Sequence, residues 1–270
     1  MMTTQRIHIA GPPRSGTTLM HTLFSTCMGV DGVTSREERI WRRMPRGERV
    51  LVTKCPGEEH FAPSLLKFDR DLWFIFMLRD PRDLIVSKHG SEPGRYWSNL
   101  RTWYKALDAC EAMKTHPRFI VVRYEDLVSK PDKVQEDLLR NLPFLKRTVK
   151  FSRYQDHLPQ GFGQSAQILQ AMRGIRAVSP KNVGAWRHHL PRVKAHVSRY
   201  PDLPAKLIEL GYEQDTGWLK DLESEPADNR PSVVPDELSF FRRWQLAFRF
   251  WRQVLVYLLR RYMLPQQRSA

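Results

Sequence analysis

Short apolar runs alternate with amphipathic stretches through the first half of the chain. Arg6–Ala10 (RIHIA), Val50–Thr53 (VLVT) and Phe119–Val122 (FIVV) have the length and composition of β-strands. Leu72–Leu78 (LWFIFML) is apolar at every position, as expected of a strand covered on both faces. Between these runs the apolar residues recur at helical spacing. Thr17–Cys27 puts Leu19, Leu23 and Phe24 on one face. Arg79–His89 carries Pro81 near its start, Tyr96–Met113 is rich in Trp and Tyr, and a further helix covers 131–142. Strands separated by helical crossovers predict an α/β fold, a parallel sheet flanked by helices on both faces. After Leu142 the periodicity weakens as far as Val183, a stretch containing Gly161, Gly163 and Gly174. Helical patterns return near Arg192–Arg199 and Leu203–Leu210. Glu223–Asp236 is rich in Pro and acid and reads as a connector. The expected organisation is one domain over residues 1–220, a linker over 221–237 and an amphipathic helix over 238–264.

Composition narrows the class. A chain of 270 residues with 41% hydrophobic and 27% charged residues has room for one large globular domain and is neither disordered nor polytopic. The 44 Lys and Arg against 29 Asp and Glu give a formal charge of +15, which favours an anionic partner. Three cysteines with no CxxC pair make neither a disulfide framework nor a structural zinc site, and no metal is expected. Met1–Ala10 holds no apolar run of signal-peptide length, and Leu72–Leu78 falls short of the ~20 residues a spanning helix needs. The expectation is a cytoplasmic protein.

The sharpest local feature is Gly11-Pro12-Pro13-Arg14-Ser15-Gly16-Thr17-Thr18, between the first strand and the first helix. Backbone N–H groups of such a loop, together with the helix N-terminus, cradle an anion. The spacing is that of the nucleotide-triphosphatase loop G-x-x-x-x-G-K-[ST], with Thr17 in the lysine position. That lysine serves β- and γ-phosphates, so its replacement disfavours ATP or GTP chemistry, and Arg14 supplies charge from inside the loop instead. A second anion site follows the all-apolar strand, in Arg79-Asp80-Pro81-Arg82-Asp83 and Ser87. Strand carboxyl ends are where parallel sheets bind ligands, and an arginine with a hydroxyl there can grip a phosphate.

These two segments carry a resemblance. The chain is similar to the sulfotransferase family that uses 3′-phosphoadenosine 5′-phosphosulfate (PAPS), over about residues 6–212. Arg123-Tyr124-Glu125-Asp126-Leu127 and Val183-Gly184-Ala185-Trp186-Arg187 resemble two further segments of that family. The spacing is nearer its bacterial and protein-tyrosine branches than its cytosolic small-molecule branch. The resemblance implies a P-loop-type fold and transfer of a sulfuryl group from PAPS to a hydroxyl or amine acceptor, releasing adenosine 3′,5′-bisphosphate. It implies that Arg14, Ser15, Gly16, Thr17 and Thr18 hold the 5′-phosphosulfate, that Arg79 and Ser87 hold the 3′-phosphate, and that Tyr124 lies near the nucleoside. Lys181, before the late segment, is a candidate for a further contact. The acceptor stays open among sugar, lipid, tyrosyl peptide and phenol. A P-loop kinase and a non-catalytic anion- or RNA-binding protein are the competing readings, although two anion loops at strand ends are not the dispersed basic and aromatic pattern of a nucleic-acid binder.

Sulfuryl transfer needs a cation at the bridging oxygen and a base for the acceptor proton. Lys54, just past the second strand, is the candidate cation, with Arg14 beside the sulfate. The histidine that the cytosolic branch places two residues after that lysine is replaced by Pro56. The protein-tyrosine branch uses the second glutamate of a pair, which matches Glu38 in Arg36-Glu37-Glu38-Arg39. His60 competes for the role, as do Glu37 and Glu59.

In the 238–264 stretch, Arg242, Arg243, Arg249, Arg252, Arg260 and Arg261 fall on one half of a helical wheel. Phe240, Trp244, Phe248, Trp251, Leu255, Leu258 and Tyr262 fall on the other. Packing on the domain, packing on a second subunit and contact with a membrane surface all fit this pattern, and the last would make the protein peripheral to a membrane.

Overall fold

The computed structural model describes residues 4–34, 37–42, 48–88, 94–158 and 177–263. Arg36, His89, the glycines at 161, 163 and 174, and Leu264 lie outside these residues.

Five strands form one sheet: β1 (Gln5–Ala10), β2 (Gly32–Val33), β3 (Val50–Lys54), β4 (Leu72–Leu78) and β5 (Phe119–Arg123). The spatial order is β2-β3-β1-β4-β5 and every pairing is parallel. The helices are α1 (Thr17–Cys27), α2 (Ala62–Phe68), α3 (Pro81–Ile85), α4 (Leu100–Met113), α5 (Tyr124–Ser129), α6 (Pro131–Asn141), α7 (Leu190–Arg199), α8 (Leu203–Glu209), α9 (Lys220–Glu223) and α10 (Phe240–Leu258). This is the flanked parallel α/β sheet that the alternation of apolar runs predicts.

Side chains alternate across the sheet, and each face has its own core. Ile7, Ile9, Val50, Val52, Ile75 and Met77 face α1 and α6. Leu72, Phe74, Phe76, Leu78 and Phe119 face α2, α4 and α10. The helix after β1 therefore leaves to one face and the helix after β4 to the other. Adjacent strands whose connections part in this way open a crevice at their carboxyl ends. The loops after β1 and β4 meet there.

The segment from 79 to 89 differs from its expected form. Helix α3 spans only Pro81–Ile85, capped by Asp80, which accepts from Arg82 N, and the chain then turns at Val86. Helix α4 starts at Leu100 because the Asn99 side chain caps it by accepting from Thr102 N. The stretch after α9 runs back over the body. Val233 N donates to Tyr96 O, and Ser232 Oγ accepts from the buried Arg192 Nη2 at 2.7 Å. Helix α10 ends in a π-helical turn over Leu259–Met263. Its inner face is held by buried Val254 and Tyr257, by a hydrogen bond from Tyr257 Oη to Asp69, and by the Arg261–Asp69 pair at 2.9 Å.

Candidate active site

A cleft of about 550 Å³ opens at the carboxyl ends of β1 and β4. Its floor is the 11–16 loop. Gly11, Arg14 and Gly16 all have positive φ (143°, 76° and 96°), and Arg14 is the one non-glycine residue in that region among the described residues. A left-handed turn of this kind points successive N–H groups into one concavity. Gly16 is required twice over, by its φ and because a Cβ there would lie 2.6 Å from the Tyr124 ring. Helix α1 starts at Thr17 with no side-chain cap and no acid in its first turn, so its N-terminal N–H groups face the cleft without a competing carboxylate.

The segment expected to form a second anion site, Arg79 to Ser87, joins this floor. Arg14 Nε donates to Ser87 Oγ at 2.9 Å, linking residues 73 apart in sequence. Arg79 Nη1 donates to Arg14 O at 2.7 Å and Nη2 to Asn182 O at 3.1 Å, and the guanidinium lies over the Tyr124 ring, 4.3 Å from its centroid. Arg79 Nε and Ser15 Oγ are buried, and neither has a hydrogen-bond partner among the described residues. Arg14, Gly16, Thr17, Thr18, Arg79, Ser87 and Tyr124 are thus gathered in one cleft. Ser15, of the same loop, is buried and not part of the lining.

Lys54, at the end of β3, is buried just behind the wall. Its Nζ donates to Thr18 Oγ1 at 3.0 Å and to Glu37 Oε1 at 3.2 Å. Glu37 lines the cleft, whereas Glu38 does not. Glu38 N donates to Lys54 O, which lays this segment along the end of β3. Neighbouring side chains of a segment held in this way leave on opposite sides. Glu38, its side chain largely buried, leaves away from the cleft and pairs with Arg42 at 3.0 Å. The glutamate facing Lys54 is the first of the pair, and the expected second one lies elsewhere.

His60 also lies away from the cleft. Its Nδ1 is 2.7 Å from Gly57 O, and its ring packs on Phe61 and on Phe250 of α10. Burial pulls its pKa down to about 4, assisted by the charge of Lys105. The Lys181 side chain is exposed and not part of the lining; its neighbour Asn182 makes the contact to Arg79 through a main-chain carbonyl. Glu59 lies behind the loop, with Oε2 accepting from Gly11 N at 3.1 Å.

Several supporting groups were not singled out from the sequence. Glu58 accepts from Ile40 N at 2.8 Å, pairs with Arg39 at 3.3 Å and lies 3.2 Å from His8 Nε2. Arg6 Nη1 donates to Ile40 O at 2.5 Å. This buried network anchors the segment that carries Glu37. Its signal in the sequence is the pair of polar residues Arg6 and His8 within what proves to be the central strand, a position normally apolar on both faces.

Residues 31–144 match a family model described as the sulfotransferase family. The match includes Glu37, Glu38, Lys54, Arg79, Ser87 and Tyr124, and begins after the 11–18 loop. No curated protein matches the chain. Among solved structures, the sulfotransferase domain of the Synechococcus PCC 7002 olefin synthase is 18% identical, covering 69% of this chain and 89% of its own, with a TM-score of 0.44. The sulfotransferase domain of the curacin biosynthetic pathway is 16% identical, covering 62% and 79%, with a TM-score of 0.38. Retinol dehydratase in complex with retinol and PAP is 14% identical, covering 86% and 84%, with a TM-score of 0.40. The sequence match covers the 31–144 segment, which holds β3, β4, β5 and their candidate site residues, and over that segment the chain is similar to the sulfotransferase family.

Proposed function

We propose that this chain transfers the sulfuryl group of PAPS to a hydroxyl or amine acceptor and releases adenosine 3′,5′-bisphosphate. The observation that carries the reading is the meeting of two anion-binding elements across the β1/β4 crevice, the left-handed 11–16 loop and the Arg79/Ser87 segment, joined by the Arg14–Ser87 bond of 2.9 Å. The group fits. The buried Arg79 Nε and Ser15 Oγ are donors in need of acceptors, and phosphate and sulfate oxygens supply them. PAPS brings an activated sulfate whose bond to the 5′-phosphate is the one broken.

The chain's own groups divide the work. Backbone N–H groups of the loop and of the first turn of α1, with Arg14, Ser15, Gly16, Thr17 and Thr18, hold the 5′ side. Arg79 and Ser87 hold the 3′-phosphate, and Tyr124 packs beside the nucleoside. Lys54, oriented by Thr18 and Glu37, places a cation at the wall nearest the reacting end, where charge spreading onto the leaving oxygen is stabilised. Glu37 takes the acceptor's proton on its carboxylate. The base we assign is therefore Glu37, in place of the Glu38 or His60 expected from the sequence.

The test is calorimetry with adenosine 3′,5′-bisphosphate and adenosine 5′-monophosphate, followed by transfer of labelled sulfate to a panel of sugar, lipid, tyrosyl peptide and phenol acceptors. The bisphosphate binds at least about ten-fold tighter, because its 3′-phosphate gains charged hydrogen bonds worth about 1.5–3 kcal/mol each. Equal affinities overturn the assignment.

A further inference from the structure

Helix α10 has three sectors. Phe250, Val254, Tyr257 and Leu258 pack on the domain. Trp244, Phe248, Trp251, Leu255 and Tyr262 form a second stripe at spacings of four, three, four and seven residues, one continuous line on a helix. Each of the five is between 56% and 66% exposed. Phe240 and Phe241, exposed at the helix start, extend the stripe. Arg252 flanks it, four residues after Phe248 and three before Leu255, and Arg249 lies farther round the helix; both are exposed and have no acidic partner among the described residues. A soluble surface rarely carries so many contiguous aromatic side chains without a partner.

We propose that this stripe docks in the plane of an anionic lipid bilayer, a role independent of the sulfotransfer reading. Charge selects the occupant. Residues 240–263 contain six arginines and no Asp or Glu. Arg261 pairs inward with Asp69 and Asp71, but Arg242, Arg243, Arg249 and Arg252 are exposed; a second copy laid on the same stripe sets these against their like with no acid on the helix to neutralise them, whereas anionic headgroups supply the opposite charge. Trp and Tyr, apolar in body and polar at the tip, suit the boundary between headgroups and acyl chains. The attachment is in the interface: among the described residues no helix is long and apolar enough to cross a membrane.

The experiment uses the full chain with sedimented vesicles of phosphatidylcholine alone and of phosphatidylcholine with 30% phosphatidylglycerol (about a third anionic, as a mixed surface). Binding occurs to the anionic vesicles and weakens with salt. The Arg249→Gln/Arg252→Gln variant binds about 25-fold more weakly, since each arginine near such a surface contributes about five-fold. The Trp244→Ser/Trp251→Ser variant loses at least about ten-fold on both the anionic and any residual neutral binding. These residues are exposed, so the variants keep the wild-type melting temperature, and that measurement separates lost docking from lost folding. No vesicle binding, or binding that neither variant weakens, overturns the proposal. So does a wild-type dimer in sedimentation equilibrium that Trp244→Ser/Trp251→Ser converts to monomer, because the stripe is then covered by a second copy.

Discussion

Glu59 ties the phosphate loop to the protein interior, and its substitution by glutamine has a calculable consequence. The side chain is buried and its Oε2 accepts from Gly11 N at 3.1 Å. Burial pushes its carboxyl up to about 7 from the ordinary 4.5, against the opposing pull of backbone N–H groups and the charge of Lys105. In the unfolded chain the same group ionises near 4.5. Between these values the folded state holds a proton that the unfolded state has lost, so stability falls as pH rises through this window. Below about 4.5 both states are protonated and the contribution is fully present; above about 7 it is gone. At about 1.36 kcal/mol per pH unit, the loss across the window is about 3 kcal/mol. Glu59→Gln keeps an oxygen for Gly11 N and removes the titration. The variant should therefore gain on the wild type as pH rises, by about 3 kcal/mol between pH 4.5 and 8. In a chain of this size that is about 6–12 °C in melting temperature.

The assay is a pair of thermal melts at each of several pH values, read as variant minus wild type. The subtraction matters because His21, His60 and His196 titrate with the opposite sign. Burial pulls these down to about 3, 4 and 3, so they cost stability as the solution is acidified below their unfolded value. Their contribution cancels in the difference. A difference that stays flat from pH 5 to 8 refutes the account of Glu59 as a buried acid that must ionise.

Other outcomes follow from the cleft. Arg79→Ala should weaken adenosine 3′,5′-bisphosphate binding about ten- to a hundred-fold by calorimetry, and Ser87→Ala, which removes only a hydroxyl, should weaken it less while leaving the melting temperature unchanged. Glu37→Gln should lower bisphosphate release from PAPS in the presence of acceptor by about 10²–10⁴-fold with bisphosphate affinity retained, whereas Glu38→Gln, which loses only a partly exposed pair with Arg42, should stay within about two-fold; the reverse order would return the role to Glu38. Lys54→Ala should lower turnover more than cofactor affinity, because a cation at the leaving oxygen meets more charge in the transition state, and a variant with normal turnover and only a raised KM would place Lys54 outside the chemistry.

The elements legible in the sequence were those with strong local signals. β4 and α1 run as expected from end to end, because a seven-residue apolar run and an amphipathic stretch opened by a glycine leave little choice of boundary. β2, two residues long, and α2, seven residues with Pro63 in its first turn, are too short for periodicity to register. The gathering of Arg14, Arg79, Ser87 and Tyr124 could be anticipated because all sit at strand ends of one parallel sheet. Which of Glu37 and Glu38 lines the cleft could not. It depends on the hydrogen bond from Glu38 N to Lys54 O, a tertiary register that no local pattern encodes. The position of His60 was equally hidden, because its ring packs against Phe250, which arrives from the far end of the chain.

The charged residues of the 79–83 segment do different jobs, and the division bears on the anion binding proposed for this site. Asp80 caps α3 and forks with Arg82. Arg82 is buried against the Trp186 and Trp218 rings and pairs with Glu213. Asp83 accepts from Gly184 N at 2.9 Å and Trp186 N at 3.0 Å, which docks the late Gly-Ala-Trp segment onto the end of β4. That docking brings Asn182 O to Arg79 Nη2, while Arg14 O takes Nη1. Arg79 is thus clamped at both terminal nitrogens before any ligand arrives, with Nε still unsatisfied among the described residues. A free arginine loses about 2 kcal/mol of rotamer freedom when it is immobilised. Here folding has already taken that cost, so more of each new hydrogen bond appears as affinity. On the proposed reading, Asp80, Arg82 and Asp83 would act on ligand binding through the rigidity of Arg79, which joins segments a hundred residues apart.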